Sequence, residues 1–166
     1  MKKFTKIVAV ILLALTMLLC TACVEYTRDN QPSKIENEYS ICYGFTPTND
    51  TLAITDQTTV KDYMDALKED GKLAFEGSEG DYGYFITSIM GIGSRFVSST
   101  DNSYTGYDWM LYTTLTSIDG TIYSKDDSTF VYDGITFYEG SYGVSNMPCI
   151  EGQSYLLVYK LSTMTW

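Results

Sequence analysis

Apolar and polar positions follow two different periods along the chain, and the longer period predicts one helix. In residues 59–73 the apolar side chains recur at i, i+3, i+4 and i+7, which places them on one face of a helix. Thr59, with Asp62 three positions later, fits an approximate capping box at the helix start. Gly71 fits the left-handed position that ends a helix. The charged residues of this segment lie off the apolar stripe, so we interpret them as a solvated face.

The shorter period, together with many β-branched and aromatic residues, predicts strands. The main strands are expected at residues 39–45, 84–90, 108–115 and 155–161. In residues 108–115 the alternation places Trp109 and Leu111 on one face and Tyr112 on the other. Asp119-Gly120 and Asp133-Gly134 are typical hairpin turns. Short strands are expected at residues 52–54 and 73–76, and loops at the glycine-rich residues 77–83 and the polar residues 98–106.

One helix among about eight strands indicates an α+β fold, specifically a β-rich single domain with one helix packed on a sheet. The helix follows the first strands, and it must cover a sheet face in order to bury its apolar stripe. This order of elements favours a β-grasp-like arrangement, in which the last strand lies beside the first.

The N-terminus has the pattern of an export signal. Three lysines at positions 2, 3 and 6 precede an apolar run at residues 7–19, which is shorter than the ~20 residues that span a membrane. The run and the small residues that follow it resemble a bacterial lipoprotein signal, in which Cys23 becomes the acylated N-terminus. Ordinary signal peptidase is the alternative, because Cys20-Thr21-Ala22 is a small-x-small triplet. Both interpretations start the mature chain at Cys23.

Three regions follow from these signals. Residues 1–22 are predicted to be a signal peptide, residues 23–38 a lipid-anchored flexible tether, and residues 39–166 the folded domain. The tether is inferred because residues 24–38 are polar, contain one proline and show no apolar periodicity. We therefore expect an exported protein anchored to the outer face of the bacterial cell membrane, with the N-terminal lipid as its membrane contact.

Composition and charge exclude several classes of function. The 166 residues include 11 basic and 21 acidic side chains and no histidine. Without the three lysines of residues 1–22, the remaining 8 basic and 21 acidic side chains give a formal charge of −13. An acidic chain is unsuited to nucleic acid, which requires a basic face. The lack of histidine excludes Ser-His-Asp and Cys-His catalysis and histidine-ligated metal sites.

Two cysteines remain in the predicted domain, Cys42 and Cys149. Export would place them where a disulfide persists, and two is the number that one bridge requires. The alternative is a pair of buried thiols, because unpaired cysteine packs as a small hydrophobic residue. Both alternatives stay open at this point.

Several segments, taken in order, resemble one known family. They are residues 58–67 (TTVKDYMDAL), 83–91 (GYFITSIMG), 107–112 (YDWMLY) and an ending with Met147-Pro148-Cys149-Ile150-Glu151-Gly152 and an aromatic strand. Together they resemble the transcobalamin-like C-terminal domain, a module of unknown function in exported bacterial proteins. The related domain of animal transcobalamins covers one face of a cobalamin, so the resemblance implies a corrinoid as one ligand class. Where family members often carry an Asn-Gly turn, this chain has Thr113-Thr114-Leu115.

Aromatic residues are the candidate ligand contacts, because they supply rigid contact area at low entropic cost. The candidates are Tyr104, Tyr107, Trp109, Tyr112 and Tyr142. Tyr107, Trp109 and Tyr112 match the aromatic strand of the family. Tyr104, Tyr107 and Tyr142 fall in polar or glycine-rich segments, where we expect them to be exposed on loops. Core packing is the alternative for Trp109.

Catalysis is not predicted. The chain has no G-x-S-x-G or S-x-x-K motif, and no pair of carboxylates is marked out among its acids. The acids at residues 76–81 and 126–127 match no calcium loop and are interpreted as turns, so no metal or cofactor is predicted. Two hypotheses remain: a non-enzymatic module that binds a small ligand such as a corrinoid, or a protein-interaction or adhesion module that binds a surface protein.

Overall fold

The computed structural model describes residues 34–35, 38–39 and 41–165, and side-chain burial from residue 41 onward. The predicted signal peptide, Cys23 and most of the predicted tether lie outside the described residues. In the described part the elements are β1 (Lys34–Ile35), β2 (Glu38–Tyr39), β3 (Ile41–Phe45), α1 (Val60–Glu69), β4 (Phe75–Gly80), β5 (Gly83–Ile89), β6 (Ile92–Gly93), β7 (Arg95–Thr100), β8 (Ser103–Thr113), β9 (Ser117–Ile118), β10 (Thr121–Ile122), β11 (Ser124–Tyr132), β12 (Ile135–Gly140) and β13 (Tyr155–Thr165).

A six-stranded antiparallel sheet organises the domain. Its strand order is β11-β12-β8-β13-β3, and β7 pairs with β8 beside this path. The two eleven-residue strands β8 and β13 pair along their whole length, from Tyr155 opposite Thr113 to Thr165 opposite Ser103. A separate three-stranded sheet has the order β4-β5-β6, so β5 is central there. The fold is therefore β-rich α+β with one described helix, which confirms the predicted class.

The helix α1 forms for the local reasons that its sequence indicates. The Thr59 hydroxyl accepts from the Asp62 N–H at 3.2 Å, and the Asp62 carboxylate accepts from the Thr59 N–H at 2.8 Å, so the capping box is present. The apolar stripe of Val60, Tyr63, Met64 and Leu67 is buried, as predicted. The helix ends at Glu69, four residues before the predicted end, because the chain turns at Gly71 with φ +70°.

Two apolar cores lie on opposite faces of the six-stranded sheet. The helix-side core joins α1 and the three-stranded sheet to one face of β8 and β13, through residues that include Leu111 and Leu157. The hairpin-side core lies on the other face and contains Cys42, Tyr112, Phe130, Phe137, Leu156 and Val158. The hairpin of β11 and β12 covers this second face, because Phe130 and Phe137 pack against Tyr112 there. Below, the two faces are called the helix face and the hairpin face.

Both predicted Asp-Gly hairpins are confirmed. Asp119 and Gly120 connect β9 to β10 with φ of 48° and 84°, and Asp133 and Gly134 connect β11 to β12 with φ of 49° and 75°. Two consecutive positive φ angles match the turn that fits the twist of paired strands. The last strand, β13, pairs antiparallel with β3, which lies within the strand predicted at residues 39–45.

Two predicted loops and one predicted strand are wrong. Residues 98–106 belong to β7 and β8, which meet in a tight turn at Asp101 and Asn102. Residues 77–83 extend β4 and begin β5, and Gly77 is needed because a Cβ there would lie 2.2 Å from the Phe85 carbonyl oxygen. Residues 52–54 form no strand and instead follow a turn in which the Asn49 side chain accepts from the Ile54 N–H. In each case strand pairing or local hydrogen bonding outweighs composition.

No helix in the described residues is long and apolar enough to cross a membrane.

Candidate functional site

The two longest strands continue past the covered part of the sheet. Residues 155–159 of β13 pair with β3, whereas residues 160–165 pair with β8 on one side and extend beyond the end of β3. Along the same stretch β8 pairs on its other side with β7, whose six residues are all exposed. We call this three-stranded extension the ribbon, defined as β7 with residues 103–108 and 160–165. It brings aromatic side chains out of both cores.

On the helix face an aromatic row leads from the core to the ribbon. The Trp109 ring lies 5.3 Å from the Tyr159 ring, and Tyr159 lies 5.8 Å from Tyr107, between ring centroids. The Arg95 guanidinium lies 4.6 Å from the centroid of the Tyr107 ring. Cation–π contact of this kind holds the arginine over the row while leaving its charge near solvent.

Trp109 and Tyr159, at the inner end of this row, form hydrogen bonds within the domain. The Trp109 indole N–H donates to the Ile92 carbonyl at 2.8 Å, and the Tyr159 hydroxyl donates to the Gly93 carbonyl at 3.0 Å. Trp109 is 6% exposed and belongs to the helix-side core. Core packing, the alternative for Trp109, therefore describes its position in the structure.

On the hairpin face of the ribbon, the Tyr104 ring lies flat along β8. A Cβ added at Gly106 would lie 2.2 Å from the Tyr104 hydroxyl oxygen and 2.6 Å from its ring, so the ring occupies the place of a side chain at Gly106. The Tyr104 hydroxyl donates to Asp108 Oδ1 at 3.3 Å. The Phe96 ring, opposite Gly106 on β7, lies 6.0 Å from Tyr104 between centroids and is 61% exposed.

A polar belt separates this aromatic end from the hairpin-side core. The Ser162 hydroxyl donates to Asp108 Oδ2 at 2.8 Å, and Lys160, opposite Asp108 in the strand pair, donates to the Tyr112 hydroxyl at 3.0 Å. Asp108 thus receives hydrogen bonds from Tyr104 and Ser162, one on each oxygen. Its negative charge contributes to raising the pKa of Tyr104, after the larger contribution from burial of that hydroxyl. These hydrogen bonds hold the side chains of Tyr104, Asp108 and Ser162 in place.

The five sequence-predicted aromatic residues do not form one surface. Tyr107 and Trp109 lie on the helix face of β8, whereas Tyr104 and Tyr112 lie on the hairpin face. Tyr112 is fully buried in the hairpin-side core. Tyr142 follows β12, is half-buried, and packs against Tyr123 at 5.8 Å between ring centroids.

The expected loop exposure is therefore wrong for Tyr104 and Tyr107, which lie on a strand and are half-buried. Sequence reasoning also missed Phe96, Gly106, Asp108 and Ser162 as neighbours of Tyr104. Their signal was the alternation Tyr104-x-Gly106-x-Asp108, which places three residues on one strand face once residues 98–106 are recognised as strand.

The cysteines do not form the bridge that was one of the two alternatives. Cys149 is a free, fully buried thiol in the helix-side core, and Cys42 lies in the hairpin-side core across the sheet. Burial, with a smaller contribution from Asp62, raises the pKa of Cys149 to about 12. The thiol therefore stays protonated near neutral pH and is a poor nucleophile.

One half-buried carboxylate is the centre of a second polar group, on β12. Glu139 accepts hydrogen bonds from Lys125 and from the Ser128 hydroxyl, and its side chain is 14% exposed. Burial by itself raises the pKa of Glu139, but the hydrogen bonds from Lys125 and Ser128 outweigh it and the net pKa is lowered. No group of three or more potential metal ligands occurs in the described residues.

Comparison with known proteins gives no family. No family model matches the chain, and no match was found among curated proteins or solved structures.

Proposed function

We propose that the protein is an exported, lipid-anchored, non-enzymatic module that binds a ring-shaped small ligand on the aromatic side chains of the ribbon. The observation that carries this proposal is the Tyr104 ring, which lies outside both cores and is held flat over Gly106. A ring fixed in this way loses little conformational freedom when a ligand stacks on it.

The proposed family relationship supplies a first ligand class. A transcobalamin-like C-terminal domain with a β-grasp-like arrangement is supported by β13 lying beside β3 and by α1 covering the helix face. In such a domain a corrinoid is the ligand to test first. Its flat macrocycle would stack on the Tyr104 ring, on the hairpin face of the ribbon.

Calorimetric titration of the processed protein with cyanocobalamin tests this ligand class. We expect a dissociation constant in the micromolar range or tighter, which corresponds to about 8 kcal/mol of binding free energy. Tyr104→Ala should weaken binding, and Tyr82→Ala serves as the control because Tyr82 is 65% exposed in the turn between β4 and β5. Absence of both heat and thermal shift at ligand concentrations near a millimolar would refute corrinoid binding.

Mass spectrometry of the exported protein tests the proposed anchor. We expect a diacylglyceryl group on Cys23 at the mature N-terminus. An unmodified Cys23 there would instead show cleavage by ordinary signal peptidase and free secretion. The Cys23→Ser variant is the control, since it should lose membrane association while the domain remains folded.

The second candidate function, a protein-interaction or adhesion module, is favoured by β7. Within the described residues β7 has a neighbouring strand on one side, so its outer edge exposes backbone N–H and C=O groups. Its Phe96 and Val97 are 61% and 48% exposed. An open edge with exposed apolar residues can add a strand from a protein partner. Val97→Pro would block strand addition and leave stacking on Tyr104 unchanged.

A further inference from the structure

The hairpin face of the ribbon combines three features. It has one flat tyrosine ring, a carboxylate fixed on both oxygens, and a serine hydroxyl beside that carboxylate. Tyr104, Asp108 and Ser162 lie on neighbouring residues of the β8–β13 pair, since Ser162 is opposite Gly106. We call this group the Tyr104 platform.

The size and chemistry of the platform also match a single sugar ring. One phenol ring offers about the area of one pyranose, whose C–H groups stack on the electron-rich face of an aromatic ring. A carboxylate has about four acceptor positions, and in the described residues two are used by Tyr104 and Ser162. The remaining positions can accept the hydroxyl hydrogens at the rim of a stacked sugar.

The charge of the chain narrows the class of sugar polymer. The chain carries a net charge of −10, and the platform itself contains the Asp108 carboxylate. Anionic polysaccharides and teichoic-type polymers are repelled by such a surface, whereas a neutral polymer is not. A pyranose with equatorial hydroxyls also presents its C–H groups on flat faces, which suits stacking on a single ring.

We propose that the Tyr104 platform binds a neutral polysaccharide by stacking one equatorial pyranose on Tyr104 while Asp108 and Ser162 hydrogen-bond its hydroxyls. This inference rests on the proposed function, because it names the ligand class for binding through the ribbon aromatics. A single-ring platform limits affinity for a short oligosaccharide to the order of a millimolar. Many lipid-anchored copies on one cell would bind a long polymer much more tightly.

Native electrophoresis of the processed protein, through gels that contain a soluble neutral β-glucan, tests the proposal. The β-glucan should slow the migration of the wild type, and Tyr104→Ala should lower the affinity for the β-glucan at least ten-fold. Gly106→Val keeps the tyrosine but places a Cβ where its ring lies, so it should lose binding as well. Tyr104→Trp keeps a flat ring and should retain binding, and Asp108→Asn should weaken it several-fold.

Tyr82→Ala is the matched control, because it removes a 65% exposed tyrosine from the turn between β4 and β5 and should leave retardation unchanged. Thermal unfolding of each variant separates misfolding from loss of the platform. Retardation that survives Tyr104→Ala overturns the inference, and so does a wild type that is not retarded by the β-glucan. If cyanocobalamin still binds in that case, the sugar inference fails alone; if neither ligand binds, the proposed function fails with it.

Discussion

The two halves of the β8–β13 pair share strands, register and residue types, yet they differ in burial. In the inner half, Tyr155, Leu156, Leu157 and Val158 are each at most 1% exposed. In the ribbon, Leu161 and Met164 of the same strand are 38% and 51% exposed. The difference arises from the elements that cover the strands, α1 on one face and the β11–β12 hairpin on the other. The covered part of the strands therefore builds the two cores, and the uncovered part stays accessible to solvent.

This comparison also separates the buried aromatic side chains of β8 from the half-buried ones. Trp109 and Tyr112 lie in the inner half and are buried in opposite cores. Tyr104 and Tyr107 lie two to eight residues before them on the same strand and are half-buried. The residue types and the neighbouring residues are nearly the same. What decides whether each ring is buried is its position along β8 relative to the elements that pack over the strand.

The largest difference is expected when the same truncation is made in both halves. Leu157 and Leu161 lie on the same face of β13, four residues apart, and are 1% and 38% exposed. Leu157→Ala should lower the free energy of unfolding by ~2–5 kcal/mol, because it leaves a cavity in the helix-side core. Leu161→Ala should cost less than ~1 kcal/mol. Urea denaturation measures both, and equal losses would show that the ribbon is packed as tightly as the core.

A second matched pair removes one hydroxyl from each end of the inner half of β13, Tyr155 at its buried end and Tyr159 beside the ribbon. The Tyr155 hydroxyl donates to the Pro148 carbonyl at 2.6 Å and accepts from the Ile150 N–H at 3.0 Å, at a residue with no exposed surface. Tyr155→Phe should therefore cost ~1–3 kcal/mol, since two buried backbone groups lose their partner.

Tyr159→Phe is the counterpart toward the ribbon, where the hydroxyl donates to the Gly93 carbonyl in an exposed position. Water replaces that hydrogen bond, so the cost should be ~0.5 kcal/mol or less. Thermal or urea unfolding compares the two variants. A Tyr159→Phe loss as large as that of Tyr155→Phe would place the boundary between core and ribbon further out along β13.

The helix and the hairpin turns were predictable because their causes are local. The Thr59–Asp62 capping box, the 3.6-residue stripe and the Asp-Gly turns each depend on residues within one or two turns of chain. Residues 98–106 were misjudged because serine, threonine and asparagine suggest a loop, whereas pairing with β8 makes residues 95–100 a strand. On its other side β8 pairs with β13, more than fifty residues further along the chain.

The candidate site was only partly predictable for the same reason. Tyr104 was selected as an exposed loop residue, but its position follows from strand alternation over Gly106. Ser162 is opposite Gly106 through long-range pairing, so no local pattern connects it to Tyr104. The β11–β12 hairpin also comes from a later part of the chain. It packs over Tyr112 and not over Tyr104, so Tyr112 is buried in the hairpin-side core whereas Tyr104 is not.

The smallest effect is expected from the pH dependence of Glu139, which lies on the strand beside the inner half of β8. Because the folded-state pKa of Glu139 is lowered, its ionised form stabilises the fold above the unfolded-state pKa, near 4.5, and this contribution is lost as pH falls below that value. The Lys125 partner is half exposed, so solvent screens the pair and the contribution is modest.

Glu139→Gln should therefore lower the free energy of unfolding at pH 7. The difference in this free energy between the variant and the wild type should become smaller as pH falls through 4.5 and below. Urea midpoints measured from pH 7 to pH 3 give the comparison, and Glu76→Gln, an exposed carboxylate on β4, corrects for the loss of one negative charge. A gap that stays constant with pH would show that Lys125 and Ser128 do not favour the ionised carboxylate. In that case the packing of Phe130 and Phe137 alone would hold the hairpin on the inner half, with no contribution from the hydrogen bonds to Glu139.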